Sequence, residues 1–465
     1  MWIAHTELAS APGHPFYEKL SELLEAEHFD FFVEGVSAKF YAEKFGRPSL
    51  LPGIYFRSLL IGYFEGIEAE RGIAWRVAES LGLRRFLGIA LTEATPDHST
   101  LSRTRRLIDL ETHEQVFAWV LTLLADRGLL QGKRIGIDAT TLEANAAMKS
   151  IVRRDTGESY NEFLTGLAKA SGIETPTRED LARLDRKREK RTSNKEWMSP
   201  TDGDARIAKM KDGSTHLAHK AEHAMDMESG AVVAVTLQAA DLGDTTTVHQ
   251  TLAEAGLAVA ELVVREVELH SEEEPRVNVD GVEELVADKG YHSGAVLEQV
   301  KELDVITYIP ERKQAGKRNW DGKQSEQQAV EANQSRVAGD YGKQLLRRRG
   351  EFVERSFAHC YETGGMRRCT LPGQENILKR LLIHVGAFNI SLVLLKMLGA
   401  GTPRELRNRV ARLLLHLFEW LICRYRPDGA VEPRTTPVLA LSGTYRSGKP
   451  QYRLNWNSAT FATGC

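Results

Sequence analysis

Two aspartates and a glutamate stand out by where they fall in the chain. Asp138 closes the run Arg134-Ile135-Gly136-Ile137-Asp138, and Asp288 closes Glu283-Glu284-Leu285-Val286-Ala287-Asp288. Both runs read as short strands ending in an acid, which would fix a carboxylate rigidly at the sheet edge where ligands bind. Glu354 follows the apolar pair Phe352-Val353 in a helix-forming stretch, and the pattern predicts that it points inward at that edge. Glu351, three positions back on the same helix face, is its rival. Carboxylate oxygens are hard ligands suited to Mg2+ or Mn2+. Two such ions about 4 Å apart can activate an attacking oxygen and stabilise a leaving one during displacement at phosphorus. A single Asp after a strand is more often a turn or cap residue, so the three acids carry weight only as a set.

The elements that must position them change character along the chain. Residues 1–125 read as helical: Phe16 to Glu27, Pro52 to Glu68, Ile73 to Leu81 and Thr100 to Leu110 carry apolar positions at three-to-four spacing. Thr95-Pro96-Asp97 punctuates them, and Asp97 or Ser99 is placed to cap a basic helix with Arg103, Arg105 and Arg106. A short helix, a turn and a basic helix have the form of a helix-turn-helix DNA reader, or of a bundle with a charged outer face. From residue 130 to 400 strands and helices mix, which predicts an α/β unit behind an all-helical N-terminal one. His216 to Asp226 and Ala231 to Leu237 form a hairpin around Met227-Glu228-Ser229-Gly230. Residues 155–205 are polar and charge-dense, a helical insertion, and 311–345 read as a mobile loop. Residues 401–465 give one amphipathic helix and a tail rich in Pro, Thr, Ser and Gly.

Composition excludes little. The 465 residues are 42% hydrophobic and 27% charged with a formal net charge of −3, enough to bury a sizeable core and neutral on nucleic-acid binding. Cys360, Cys369, Cys423 and Cys465 form no paired motif, which fits reduced thiols in the cytoplasm. The start of the chain lacks the pattern of a signal peptide. The most apolar stretch, Ile377 to Leu398, is broken by Lys379, Arg380, His384, Asn389 and Lys396, which argues against a membrane span. His216, His219 and His223 have the look of a metal cluster, but their spacing on a strand scatters them across both faces. Trp197 and Trp320 flank polar insertions, where each can stack on an unpaired base or pack locally.

Ile137-Asp138-Ala139-Thr140-Thr141, Ala287-Asp288-Lys289-Gly290-Tyr291 and Val353-Glu354-Arg355-Ser356-Phe357 resemble the three acidic motifs of bacterial insertion-sequence DDE transposases. Gly364-Gly365-Met366-Arg367-Arg368 and Glu375 to Arg380 extend the resemblance downstream, and Thr95 to Arg103 upstream, over roughly residues 40–400. It implies an RNase-H-like mixed sheet flanked by helices, with Asp138 bridging two Mg2+ or Mn2+ ions and Asp288 and Glu354 each holding one. It further implies cleavage and strand transfer at the terminal inverted repeats of an insertion sequence. The partners would be double-stranded end and target DNA, bound by a homodimer on the nucleoid. In one respect the chain departs from the pattern. Many relatives place a Tyr, an Arg and a Lys at fixed offsets around the glutamate, whereas Gly350 and Tyr361 stand at two of those offsets here. Phosphate contacts then fall to other cations: Lys289, Arg347, Arg355, Arg367 or Arg368, beside Arg103, Arg105 and Arg106. The competing readings are a metal-dependent nuclease without strand transfer and a DNA-binding regulator derived from a transposase.

Overall fold

The structure, a computed structural model, describes residues 13–41, 49–188, 192–210, 213–269, 275–312 and 318–424. It begins with seven helices: α1 (Pro15–Ala26), α2 (Phe29–Ser37), α3 (Pro52–Glu65), α4 (Glu70–Ala78), α5 (Leu81–Phe86), α6 (His98–Leu107) and α7 (Leu110–Asp126). The sequence dictates their ends. Proline opens α3, where its missing N–H costs nothing, and Gly66 closes it in the left-handed region at φ 68°. Asp97 caps α6 by accepting from the Thr100 amide at 2.8 Å. In α1 the buried side chains Phe16, Tyr17, Leu20, Leu23 and Leu24 follow the three-to-four spacing that makes one apolar stripe.

The sheet follows. β1 (Arg134–Glu143) leads to β2 (Val152–Arg153), α8 (Tyr160–Ala170), α9 (Arg178–Lys187), β3 (Trp197–Met198) and β4 (Arg206–Lys209). Next come β5 (Thr215–Asp226), β6 (Val232–Ala239), α10 (Asp244–Leu269), β7 (Glu284–Ala287), α11 (Gly294–Glu302) and β8 (Ile306–Tyr308). β1 pairs antiparallel with β5 on one side and parallel with β7 on the other; β8 extends the parallel half and β6 and β4 line the outer edge of β5. This is the mixed, helix-flanked α/β sheet of the RNase-H-like class. One expectation changes: β1 does not end at Asp138. It runs on to Glu143 because β5 keeps pairing with it as far as Glu143↔Ala218, after β7 has stopped at Ala287.

Four more helices complete the described chain: α12 (Gln324–Ala338), α13 (Asp340–Phe357), α14 (Gln374–Leu398) and α15 (Pro403–Arg424). The mobile loop expected over 311–345 is therefore corrected. Most of its described part is α12 and the start of α13, and the polar composition hid a narrow buried stripe of Ala329, Val330 and Asn333. Asn333 holds β8 in place, its amide bonding both the Ile309 N–H and C=O at 3.1 and 2.8 Å. The segment 155–205 folds around Ile151, Trp197 and Leu217 as a small core of its own. Helix α14 is long and apolar enough to cross a membrane, yet its most apolar window is 72% buried against α3, α7 and β6. That makes it a core helix, pinned by Asn389, whose amide bonds the Val232 N–H and C=O at 2.9 and 2.8 Å. One continuous apolar cluster runs from α1 through α7 and α14 to the sheet. The tail beyond residue 424 lies outside the described residues.

Candidate active site

Strand register brings two of the three predicted acids together. Ile137 of β1 pairs with Ala287 of β7, so Asp138 and Asp288 are the next residues on neighbouring parallel strands. Adjacent strands lie about 4.8 Å apart, which sets the two carboxylates side by side where the parallel pairing of β1 with β7 ends. Asp288 leaves β7 as the cap of a short 3-10 turn, Lys289–Tyr291, accepting from the Gly290 amide at 2.5 Å. Asp138 accepts from its neighbour Ala139 N–H at 2.8 Å and from the Arg349 guanidinium at 2.6 Å. Arg349 also donates to the Ile137 carbonyl, at 3.1 Å through Nη2 and 3.3 Å through Nε. It thereby ties α13 to β1 at the candidate site.

Glu354 sits elsewhere on α13. The face of this helix that packs on the protein carries Leu345, Phe352, Val353 and Ser356, whereas Glu354 and Glu351 are both exposed. Five residues past Arg349 is about 140° around a helix axis, so Glu354 does not share the Arg349 face. The inward direction expected from the Phe352-Val353 pair is not what the fold gives, because those two side chains straddle the buried stripe themselves. Tyr361 lies in the π-helical continuation Ala358–Thr363 and is fully buried. Its hydroxyl is 2.6 Å from His223 Nε2, and burial pushes the His223 imidazole down to about 3, keeping it neutral. Tyr361 is thus a core residue beneath β5, which accounts for the absence of a cation at that offset.

The cations expected at DNA divide by exposure. Arg103, Arg106, Lys289, Arg347 and Arg368 are exposed. Arg105 is buried, ion-paired with Glu70 and 3.3 Å from Asn376 Oδ1, so it is committed to the interior. Arg355 donates to the Ser229 carbonyl at 3.2 Å, and Arg367 holds Glu362 at 2.6 Å and Thr140 Oγ1 at 3.0 Å. Trp197 is buried, edge-on to Tyr160 and Phe163, which removes base stacking; Trp320 is partly buried with Arg318 over its ring. The three histidines part company: His219 bonds Asp202 at 2.9 Å, His216 faces Glu143 at 3.5 Å, and His223 meets Ser356 and Tyr361.

Three residues near the acids were missed by sequence reasoning: Lys220, Glu222 and Asp244. Lys220 Nζ donates to Asp244 Oδ1 at 2.7 Å and Thr247 Oγ1 at 2.8 Å, and lies 3.5 Å from Glu222. A Cβ on Gly290 would overlap Asp244 Oδ2 and stand 2.7 Å from Asp288 Oδ1, so both carboxylates border one Cβ-sized space. The alternation Lys220, Glu222 on β5 was a signal, since two charges on the inward parity of a strand need a partner. Asp244 carried none; it is simply the first residue of α10.

The donor set fits a divalent metal of the Mg2+ type, which takes one or two carboxylates and completes its shell with water and phosphate oxygens. Among the described residues no three His, Cys, Asp or Glu side chains gather into a closed metal cage. Asp138 and Asp288 are the residues that would hold such an ion. Gly290→Ala is expected to displace the Asp288 and Asp244 carboxylates and lower metal-dependent activity at least tenfold with little change in melting temperature. Cleavage rate and thermal melt on one preparation check it. Wild-type activity would mean that the space beside Gly290 does not matter.

Comparison with protein families matches the model described as "Transposase DDE domain" to residues 137–390, more than half of the chain. The model described as "Transposase domain (DUF772)" matches residues 5–107. Among curated proteins none matches.

Proposed function

Because the chain belongs to the DDE transposase family, we propose that it binds the terminal inverted repeats of an insertion sequence, hydrolyses a phosphodiester there and joins the freed 3′-hydroxyl to target DNA. The observation that carries this reading is the register that sets Asp138 beside Asp288. In it, Asp138, Asp288 and Glu354 would hold the Mg2+ or Mn2+ ions. When bound, the ions supply charge to the attacking and leaving oxygens of an in-line displacement. The protein's part is to hold the carboxylates still. β1 and β7 fix Asp138 and Asp288 through their backbones, and Arg349 orients the Asp138 carboxylate from α13. Glu354 enters through its place in the family motif, not through a contact.

DNA is held in this reading by the exposed cations Arg103, Arg106, Lys289, Arg347 and Arg368, with two copies of the chain on paired ends of DNA in the cytoplasm. Arg103 and Arg106 project from the exposed side of α6, the helix that would lie on the duplex.

The test uses labelled end DNA and a supercoiled target with Mg2+. Joined end–target products are expected. Nicks without joining would leave a nuclease, and DNA binding without cleavage would leave a regulator. Arg103→Ala and Arg106→Ala should each lower the slope of log affinity against log salt by about 1. An unchanged slope for both would remove α6 from the DNA surface.

A further inference from the structure

Glu222 is fully buried in the middle of β5, one residue from His223, the antiparallel partner of Asp138. A buried carboxylate is costly unless every lone pair is met. Here three hydroxyls donate to it: Tyr291 at 2.7 Å, Thr247 at 2.9 Å and Thr251 at 2.5 Å. The Lys220 ammonium, itself buried, stands 3.5 Å away. The donors come from different parts of the fold. Thr247 and Thr251 lie on the first turns of α10 and Tyr291 on the turn after β7. Burial and the adjacent carboxylate hold the Tyr291 hydroxyl well above its ordinary range, so it stays a donor.

A buried charged network is weak evidence for stability as such, so the arrangement calls for another reason. Tyr291 supplies it. It is the last residue of the 3-10 turn that Asp288 caps, and its amide donates back to the Asp288 carbonyl at 3.2 Å. The same turn carries Gly290, with the Asp288 and Asp244 carboxylates against it. Lys220 grips the other oxygen of Asp244. The Asp288 turn is therefore anchored at its far end by one hydroxyl–carboxylate bond made in the core.

We propose that Glu222 is a positioning residue that acts through Tyr291 to set the Asp288 carboxylate for a divalent cation. This rests on the assignment of Asp288 as a metal ligand. Glu222 itself reaches neither DNA nor metal. It fixes the turn from behind the sheet, on the α10 side, while Asp138 is fixed from the α13 side by Arg349.

The test is Mn2+ binding to the full chain without DNA, measured by calorimetry, beside the thermal melt of each variant. Tyr291→Phe keeps the ring and loses only the hydroxyl; Glu222→Met keeps the length of the side chain and removes the oxygen that accepts from Tyr291. Each is expected to raise the Mn2+ dissociation constant about tenfold. The double variant should be no weaker than the worse single one, because both cut the same link. Should Glu222→Met fail to fold around Lys220, Tyr291→Phe decides alone. Wild-type Mn2+ affinity in a folded Tyr291→Phe protein overturns the proposal, as does a multiplicative loss in the double variant. A lower melting temperature with unmoved affinity would mean a purely structural role and overturns it too. Asp288→Asn is the control: if it weakens Mn2+ binding while Tyr291→Phe does not, the positioning role alone fails. If Asp288→Asn binds like wild type, the metal assignment fails and takes the positioning role with it.

Discussion

Asp138→Asn is expected to abolish Mg2+-dependent cleavage and leave end binding intact. The amide has the size of the carboxylate and can still accept a hydrogen bond from Arg349, while Arg349 keeps its two bonds to the Ile137 carbonyl. Helix α13 therefore stays docked on β1, and the change is confined to one charge at the candidate site. Metal-derived charge stabilisation is worth several kcal/mol in the transition state, and at about 1.4 kcal/mol per decade the rate should fall about a thousandfold or more. Cleavage of labelled end DNA, a gel shift and a thermal melt on the same preparation check the three parts of the expectation. Cleavage at the wild-type rate would sink the assignment of Asp138.

Arg105→Ala is expected to destabilise the fold by about 3–5 kcal/mol, the cost of leaving one partner of a buried ion pair behind. Arg105 and Glu70 expose only 7% and 9% of their side chains, so the abandoned Glu70 carboxylate would stay buried. Arg105 also reaches Asn376 on α14 and Ser102 on its own helix, so its loss loosens α4, α6 and α14 at once. Arg103 and Arg106 flank it in sequence but face solvent, and their alanine variants should melt within about 0.5 kcal/mol of wild type. Urea unfolding of the three variants separates the cases. Equal stability for all three would mean that the Arg105–Glu70 pair contributes nothing.

The contrast among these three arginines shows where sequence stops. A run of cations on an amphipathic helix announces a charged surface, but which of them turns inward depends on the element packed against that helix. Arg105 meets Glu70, from α4, and Asn376, from a helix far along the chain. No spacing rule carries that partner. The same holds at the candidate site. Arg349 is one of three consecutive arginines in sequence, and only the docking of α13 on β1 shows it bonded to Asp138. Lys220, Glu222 and Asp244 gather from β5 and α10 behind the Asp288 turn; the two charges on β5 are visible in sequence, but their partners on α10 and the turn are supplied only by the packing.

What the sequence determined by itself follows from short-range physics. Apolar spacing set α1 and the β5–β6 hairpin, Pro52 and Asp97 set helix starts, and the apolar runs before Asp138 and Asp288 marked two strands of an α/β sheet. The ordered acidic motifs gave the family, as the matched transposase domains show. Tertiary structure decided the rest. It extended β1 past Asp138 because β5 offers a longer ladder than β7, and it turned a polar stretch into α12 because a narrow stripe suffices when α11 and β8 cover it. It also put Glu354 on the exposed side of α13, since the direction of a helical side chain is fixed by which face the whole helix buries. Local sequence chooses the element and its ends; only long-range packing chooses its orientation, and so which charged groups meet.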